Sequence, residues 1–216
     1  MPQTDFSHVD TWVFDLDNTL YPPQMRLFDQ IEQRMTDWVM TRLNVSRDRA
    51  DHLRQHYWAL YGTTLAGLMH EHAIEPGDYL ADVHDIDFSP LSPDPDLAAA
   101  IAALPGRRIV FTNADTPYAH KVLAARGLDG GLFHAVYGVE HAGYHPKPRR
   151  EAFETVFARD ALAPTRAAMF EDDPRNLAVP HDMGLRTVHV APEATPAPHI
   201  QHHTADLTAF LRRLTR

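Results

Sequence analysis

Trp12-Val13-Phe14-Asp15-Leu16-Asp17-Asn18-Thr19-Leu20-Tyr21 begins as an apolar run and turns abruptly into two carboxylates, an amide and a hydroxyl. An apolar run without alternation fits a strand buried on both faces of a parallel sheet, and the pattern predicts that strand over residues 11–16. Side chains two apart on a strand share a face, so Asp15 and Asp17 project together. Two acids at the mouth of a buried strand are costly unless a cation stands with them. Such a strand end calls for a cation, a further acid and a grip on an anion elsewhere in the chain.

Pro22-Pro23 stop the strand pattern, and from there Leu27, Phe28, Ile31, Met35, Trp38, Val39 and Leu43 recur at helical spacing. Ser46 caps a second predicted helix carrying Ala50, Leu53, Tyr57, Leu60 and Tyr61 up to Gly62. A shorter helix is expected around Leu65, Leu68 and Met69, and Pro76-Gly77 reads as a turn. No strand pattern occurs over residues 22–90, which are therefore expected to be a helical insertion in a core made from 1–21 and 91–216. The stretch from Phe88 to Pro95 is proline-rich and makes a stiff return.

Beyond it, helix and strand alternate. Helices are expected over 96–104, 118–126, 150–159, 175–183 and 205–214, and strands over 108–112, 135–137, 167–170 and 186–190. Alternation of this kind implies an α/β fold, a parallel sheet with helices on both faces and right-handed crossovers. Ligands bind at the carboxyl ends of such strands. Here those ends carry Asp15 and Asp17, then Thr112-Asn113, then Glu171-Asp172.

With 216 residues, the chain has room for one good core and a small accessory domain. Hydrophobic content of 44% and charged content of 23% are those of a water-soluble globular protein. A net charge of −9 with no long basic run argues against a nucleic-acid polymer as partner. The absence of cysteine excludes disulfides, thiolate metal sites and a cysteine nucleophile. Met1 to Asp10 lacks a leader pattern and no run reaches about 18 apolar residues, so no membrane partner is expected and a cytoplasmic location is. Pro192 to His203 reads as a loop, and its His199, His202 and His203 as polar loop residues in preference to a metal site.

A phosphate monoester suits the strand-end residues. Asp15 is placed to attack phosphorus, and Asp17 to protonate the leaving alcohol and later deprotonate water. Magnesium would let the two acids coexist, with Asp172 as a further ligand. Thr112, Asn113 and the helix after Thr116-Pro117 offer donors to the phosphate, and Lys147 between Pro146 and Pro148 offers a fixed charge. A calcium loop is a poor rival, because it needs glycine and glutamate where Leu20 and Arg26 stand. A phosphorylated receiver-like switch is the non-enzyme rival, but its acid pair and phosphoacceptor sit on different strands and no helical insertion follows the first.

Asp15-Leu16-Asp17-Asn18-Thr19, the Thr112-Asn113 strand end, Lys147-Pro148 and Glu171-Asp172 with Asn176 resemble, in order, the four motifs of the haloacid dehalogenase superfamily, phosphatase branch. The resemblance implies a Rossmann-like core with a small helical cap of the subfamily I type. Tyr57 to Leu65, Val83 to Asp87 and Phe170 to Asp172 look most like pyrimidine 5′-nucleotidases. It implies Asp15 as nucleophile and Mg2+ ligand, and Asp17 as acid/base that also binds the metal through its backbone carbonyl. Asp172 is then a metal ligand, Lys147 the charge stabiliser and Thr112 with Asn113 the phosphate grip. Thr19, Glu171 and Asn176 would support the metal-bearing residues. Tyr57, Trp58 and Tyr61 are candidates to stack on a base, and His84 and Asp85 to read base or sugar. The implied substrate is a small phosphomonoester, a pyrimidine nucleotide first, acted on by a monomer or homodimer. Alternatives on the same fold are a sugar-phosphate or phosphoglycolate-type phosphatase, a phosphomutase and a dehalogenase; the last has no leaving alcohol and no need of the acid at Asp17. Ala114-Asp115 departs from the family pattern, and the sequence leaves open whether Asp115 weakens phosphate binding or points to solvent.

Overall fold

A computed structural model of the chain, describing residues 5–215, shows one six-stranded parallel sheet in the order β3-β2-β1-β4-β5-β6. The strands are β1 (Thr11–Phe14), β2 (Arg107–Phe111), β3 (Ala135–Tyr137), β4 (Ala167–Glu171), β5 (Arg186–Val190) and β6 (His202–Thr204). β1 lies at the centre because it can be buried on both faces: Trp12 and Phe14 join one hydrophobic core, and Val13 the other. Val13 pairs in register with Ile109 of β2 and Met169 of β4. The three strands thus end level, which brings Asp15, Thr112 and Glu171 to one edge.

β1 stops two residues earlier than its apolar pattern suggests. Asp15 N–H still donates to Phe170 C=O at 2.9 Å, but the Leu16 carbonyl then accepts from Leu20 N–H at 2.9 Å in a turn. Asn18 takes a left-handed backbone with φ of 59°, which a short amide side chain tolerates. The turn keeps Asp17 near the strand end.

Between β1 and β2 lie a 3₁₀ turn, Pro23–Met25, and five α-helices: α1 (Leu27–Leu43), α2 (Arg47–Tyr61), α3 (Thr64–His72), α4 (Pro76–Val83) and α5 (Pro95–Ala102). The first four share a core of their own, built from residues such as Val39, Leu53, Tyr57, Leu68 and Tyr79. Gly67 lets α2 and α3 close up, since a Cβ there would lie 2.3 Å from the Tyr57 ring. Buried Arg126 ties together the two ends of the segment between β1 and α5, donating to Leu20 C=O at 3.2 Å, Ser92 C=O at 2.5 Å and Asp94 Oδ2 at 2.7 Å.

After β2 come α6 (Thr116–Ala125), α7 (Arg150–Asp160), α8 (Ala178–Met183) and α9 (Leu207–Leu214). Three expectations need correction. Pro76 opens α4 where a turn was expected, because proline is at home at the first helical position. The helix expected over 175–183 is split into a 3₁₀ turn, Pro174–Leu177, and α8, which carries Pro180 in its first turn. The loop expected over 192–203 ends in β6, a short edge strand whose polar residues give no apolar pattern to read. His202 and His203 belong to it; His199 Nε2 lies 2.9 Å from Pro174 C=O and His203 Nε2 2.8 Å from Ala191 C=O. No helix among the described residues is long and apolar enough to cross a membrane. Residues 1–4, part of the stretch read for a leader, lie outside the described residues.

Candidate active site

A cavity of about 540 Å³ opens at the carboxyl edge of the sheet, beneath the inserted helices. Asp15, Asp17, Thr112, Asn113, Lys147, Glu171, Asp172 and Asn176 all line it. At its floor Lys147 is fully buried, and its ammonium donates to Asp15 Oδ1 at 2.6 Å, Glu171 Oε2 at 2.7 Å and Phe111 C=O at 3.0 Å. An ammonium has three hydrogens, so all are committed. Asn113 holds the lysine in place: its amide donates to Lys147 C=O at 3.0 Å and accepts from Lys147 N–H at 2.8 Å. Expected to grip phosphate, the Asn113 side chain is instead taken up at both ends by that backbone. Thr112 is buried, and its Oγ1 accepts from Ala114 N–H at 3.0 Å.

Three carboxylates face one ammonium here. Burial pushes the Asp15 carboxyl up to about 7, with the Glu171 charge adding and Lys147 opposing. Burial likewise lifts Glu171 to about 8 and Asp172 to about 7. For Lys147, burial acts to lower the value, but the Asp15 and Glu171 charges outweigh it and hold the ammonium above its ordinary range. Oxygens of Asp15, Glu171 and Asp172 lie within 4.8 Å of one another, and Asn176 Oδ1 in the same cavity wall is buried without a hydrogen-bond partner. An all-oxygen donor set with excess negative charge fits a hard divalent cation such as magnesium. The Asp17 side chain stands apart from this trio. Thr19 Oγ1 is also buried without a partner, but Thr19 does not line the cavity.

Asp17 is held by two tyrosines that the strand pattern gives no hint of. Tyr21 and Tyr118 both donate to its Oδ1, at 2.6 and 2.7 Å. Asp115, left open by the sequence, is largely buried and does not line the cavity: it is the N-cap of α6, accepting from Tyr118 N–H at 3.2 Å, and lies 2.8 Å from His84 Nδ1. His84 lines the cavity and stacks on the Tyr118 ring at 4.3 Å.

Three candidates for substrate contact fall elsewhere. Tyr57 is buried in the core of the inserted helices, its hydroxyl 2.7 Å from His72 Nε2. Tyr61 bonds to Glu71, and Asp85 is exposed beside Arg34 at 3.5 Å; none of the three lines the cavity. Trp58 does, together with Phe28, Arg54 and Arg175.

Residues 9–184 match the family of haloacid dehalogenase-like hydrolases. Among solved structures, the chain is similar to a HAD phosphatase from Thermococcus onnurineus, at 16% identity with a TM-score of 0.64, covering 95% of this chain and 97% of that one. CbbY from Rhodobacter sphaeroides in complex with phosphate is matched at 16% identity with a TM-score of 0.62, covering 93% and 95%. A 2-haloacid dehalogenase from Pseudomonas syringae is matched at 18% identity with a TM-score of 0.59, covering 96% and 99%. At these identities the likeness is one of fold, and both phosphatases and dehalogenases share it.

Proposed function

Since the chain belongs to the haloacid dehalogenase-like hydrolases, we propose that it is a magnesium-dependent phosphomonoesterase, with nucleoside 5′-monophosphates, pyrimidine ones first, as substrates. The observation that carries the reading is Asp17. A second acid two residues beyond the nucleophile, fixed through one oxygen by Tyr21 and Tyr118, serves a reaction that must protonate a leaving alcohol. Displacement of halide has no such need.

In this reading Asp15 attacks phosphorus, the bond to the leaving oxygen breaks, and Asp17 protonates that oxygen. Asp17, now ionised, takes a proton from water, which attacks the aspartyl-phosphate and frees Asp15 and inorganic phosphate. Lys147 fixes the attacking carboxylate and adds positive charge where phosphoryl charge gathers. Thr112 supports the phosphate through its hydroxyl, whereas the first-turn N–H groups of α6, expected to help, are taken by Glu140 and Asp115. Asp15 and Asp172 would hold magnesium, with the Asp17 carbonyl, Glu171 and Asn176 in support, and the ion would supply charge to the phosphoryl oxygens. The helices α1 to α4 act as a cap that excludes bulk water and selects the leaving group.

The test is phosphate release from a panel of nucleotides and sugar phosphates, with and without magnesium, beside chloride release from a 2-haloacid. The expected result is magnesium-dependent release of phosphate from UMP, CMP or dUMP, abolished in Asp15→Asn. Chloride release alone, or movement of phosphate within a sugar without its release, overturns the reading.

A further inference from the structure

Two of the three large apolar side chains that stay exposed among the described residues, Trp58 at 49% and Phe28 at 38%, line the catalytic cavity. Exposed rings gathered in one concavity mark a binding surface better than scattered ones do. The Trp58 indole already carries a planar, delocalised group: the guanidinium carbon of Arg175 lies 3.5 Å from its ring centroid. Arg175 stands three residues after Asp172 and is fixed by Asp173, donating from Nε at 3.0 Å and from a terminal nitrogen at 2.7 Å to Oδ2. A side chain from the catalytic wall thus meets a side chain from the inserted helices, which places the indole over the mouth of the site. The rest of the cavity roof sets an aliphatic group, Ile31, Met35, Leu65, Leu80 and Val83, beside polar Glu32, Arg54, Gln55, Thr63 and Thr64. The exposed rings and the aliphatic group offer a flat body an apolar surface within the chamber, and the polar residues offer partners to its edges.

We infer that Trp58, with Phe28, is the stacking platform for the planar base carried by the leaving nucleoside, so that this ring selects base-bearing phosphomonoesters over base-free sugar phosphates. The inference rests on the phosphomonoesterase reading of the same site. Tyr57 and Tyr61, the neighbouring aromatic residues on α2, do not line the cavity and cannot take this role. Of the three tryptophans in the chain, Trp12 and Trp38 also lie off the cavity lining, so quenching by a bound base would report Trp58.

The experiment has two arms on the full chain with magnesium. In the first, tryptophan fluorescence of Asp15→Asn is titrated with UMP and with ribose 5-phosphate. UMP is expected to quench it and ribose 5-phosphate to leave it unchanged, with the quench lost when Trp58→Leu is added. In the second, Trp58→Leu is expected to lower the ratio of kcat/KM for UMP to that for ribose 5-phosphate by roughly ten- to a hundredfold, the range set by base–aromatic stacking. Trp58→Phe should restore most of that ratio. An unchanged ratio in Trp58→Leu, or a wild-type preference for ribose 5-phosphate, overturns the platform while leaving a phosphatase. Quenching by UMP without phosphate release from any substrate overturns the phosphatase reading and leaves the platform standing.

Discussion

Tyr118, in the first turn of α6, donates its hydroxyl to Oδ1 of Asp17 at 2.7 Å across 101 residues of sequence. Tyr21 donates to the same oxygen at 2.6 Å. Burial, followed by the charge of Asp17, raises the titration of both phenols, so both stay protonated donors at working pH. The clamp fixes the carboxyl by one oxygen and leaves the other for the proton transfer proposed for Asp17.

Removing either donor should therefore harm proton delivery more than binding. Tyr118→Phe and Tyr21→Phe are each expected to lower kcat by about tenfold on an alkyl phosphate, the scale of one charge-assisted hydrogen bond. The loss on p-nitrophenyl phosphate should be much smaller, because its leaving group departs without a proton. Equal losses on the two substrates would reduce both tyrosines to packing.

Lys147→Met leaves Asp15 and Glu171 buried without their cation. The expected cost is on the order of 3–5 kcal/mol of unfolding free energy in chelator, measured by urea denaturation. The pH dependence has a definite sign. Asp15 and Glu171 titrate in the folded chain at about 7 and about 8, above their ordinary 3.8 and 4.5. A carboxyl with a raised folded value binds its proton more tightly in the native state, so it stabilises the fold as pH falls. The deficit of Lys147→Met should accordingly narrow between pH 8 and pH 5.5; a deficit that widens rules this account out.

The sequence is most legible where one residue is constrained both locally and by the sheet. Val13, Ile109 and Met169 read as buried strands because both faces are covered, and their shared register brings Asp15, Thr112 and Glu171 level. Lys147 is legible through its flanking prolines and the order of motifs. Long-range pairs are not: nothing local links Tyr118 to Asp17, or Arg175 to Trp58. The aromatic residues of α2 show why. Tyr57 and Tyr61, four apart, share one helical face, and Leu53 on that face packs into the insertion's core with Tyr57, while Trp58 lies a hundred degrees further round. Periodicity identifies an amphipathic helix without saying which side meets a cavity. β6 escapes for the opposite reason, since a three-residue polar edge strand has no periodicity to show.

His202 on that strand gives a stability prediction away from the site. Its ring packs against Phe6 at 5.0 Å and Phe210 at 6.1 Å, near Asp5 and Arg186. Burial is the main cause holding its titration below the ordinary 6.5, with Asp5 opposing and Arg186 adding. The unfolded chain then binds the proton more readily, so this contribution is complete above about pH 6.5 and lost as pH falls below it. His202→Phe, which keeps a ring there, should flatten the fall in urea midpoint between pH 7 and pH 5.5. An unaltered slope would mean that other groups, His189 among them, carry it.

Asp115 joins the two halves of the site. Its Oδ1 caps α6 at Tyr118 N–H and lies 2.8 Å from His84 Nδ1, while the His84 ring lies on Tyr118. His84 follows directly on α4, so one carboxylate links the end of the inserted helices to the helix that anchors Asp17. Asp115→Ala removes the cap, at about 1 kcal/mol, and frees His84. Loss of the cap alone would lower stability and leave kcat/KM nearly intact. Loss of the link should also displace Tyr118 and the end of α4, and with them the proposed acid and the proposed closure over the substrate. The expected outcome is therefore a drop of about tenfold in kcat/KM on UMP, beyond the small change in urea midpoint, in the range that misplacement of one hydrogen-bonded catalytic group produces. Asp115→Asn, which keeps an acceptor for Tyr118 N–H and can still meet the imidazole, should recover most of both. If Asp115→Ala loses stability without activity, the carboxylate is a helix cap and nothing more.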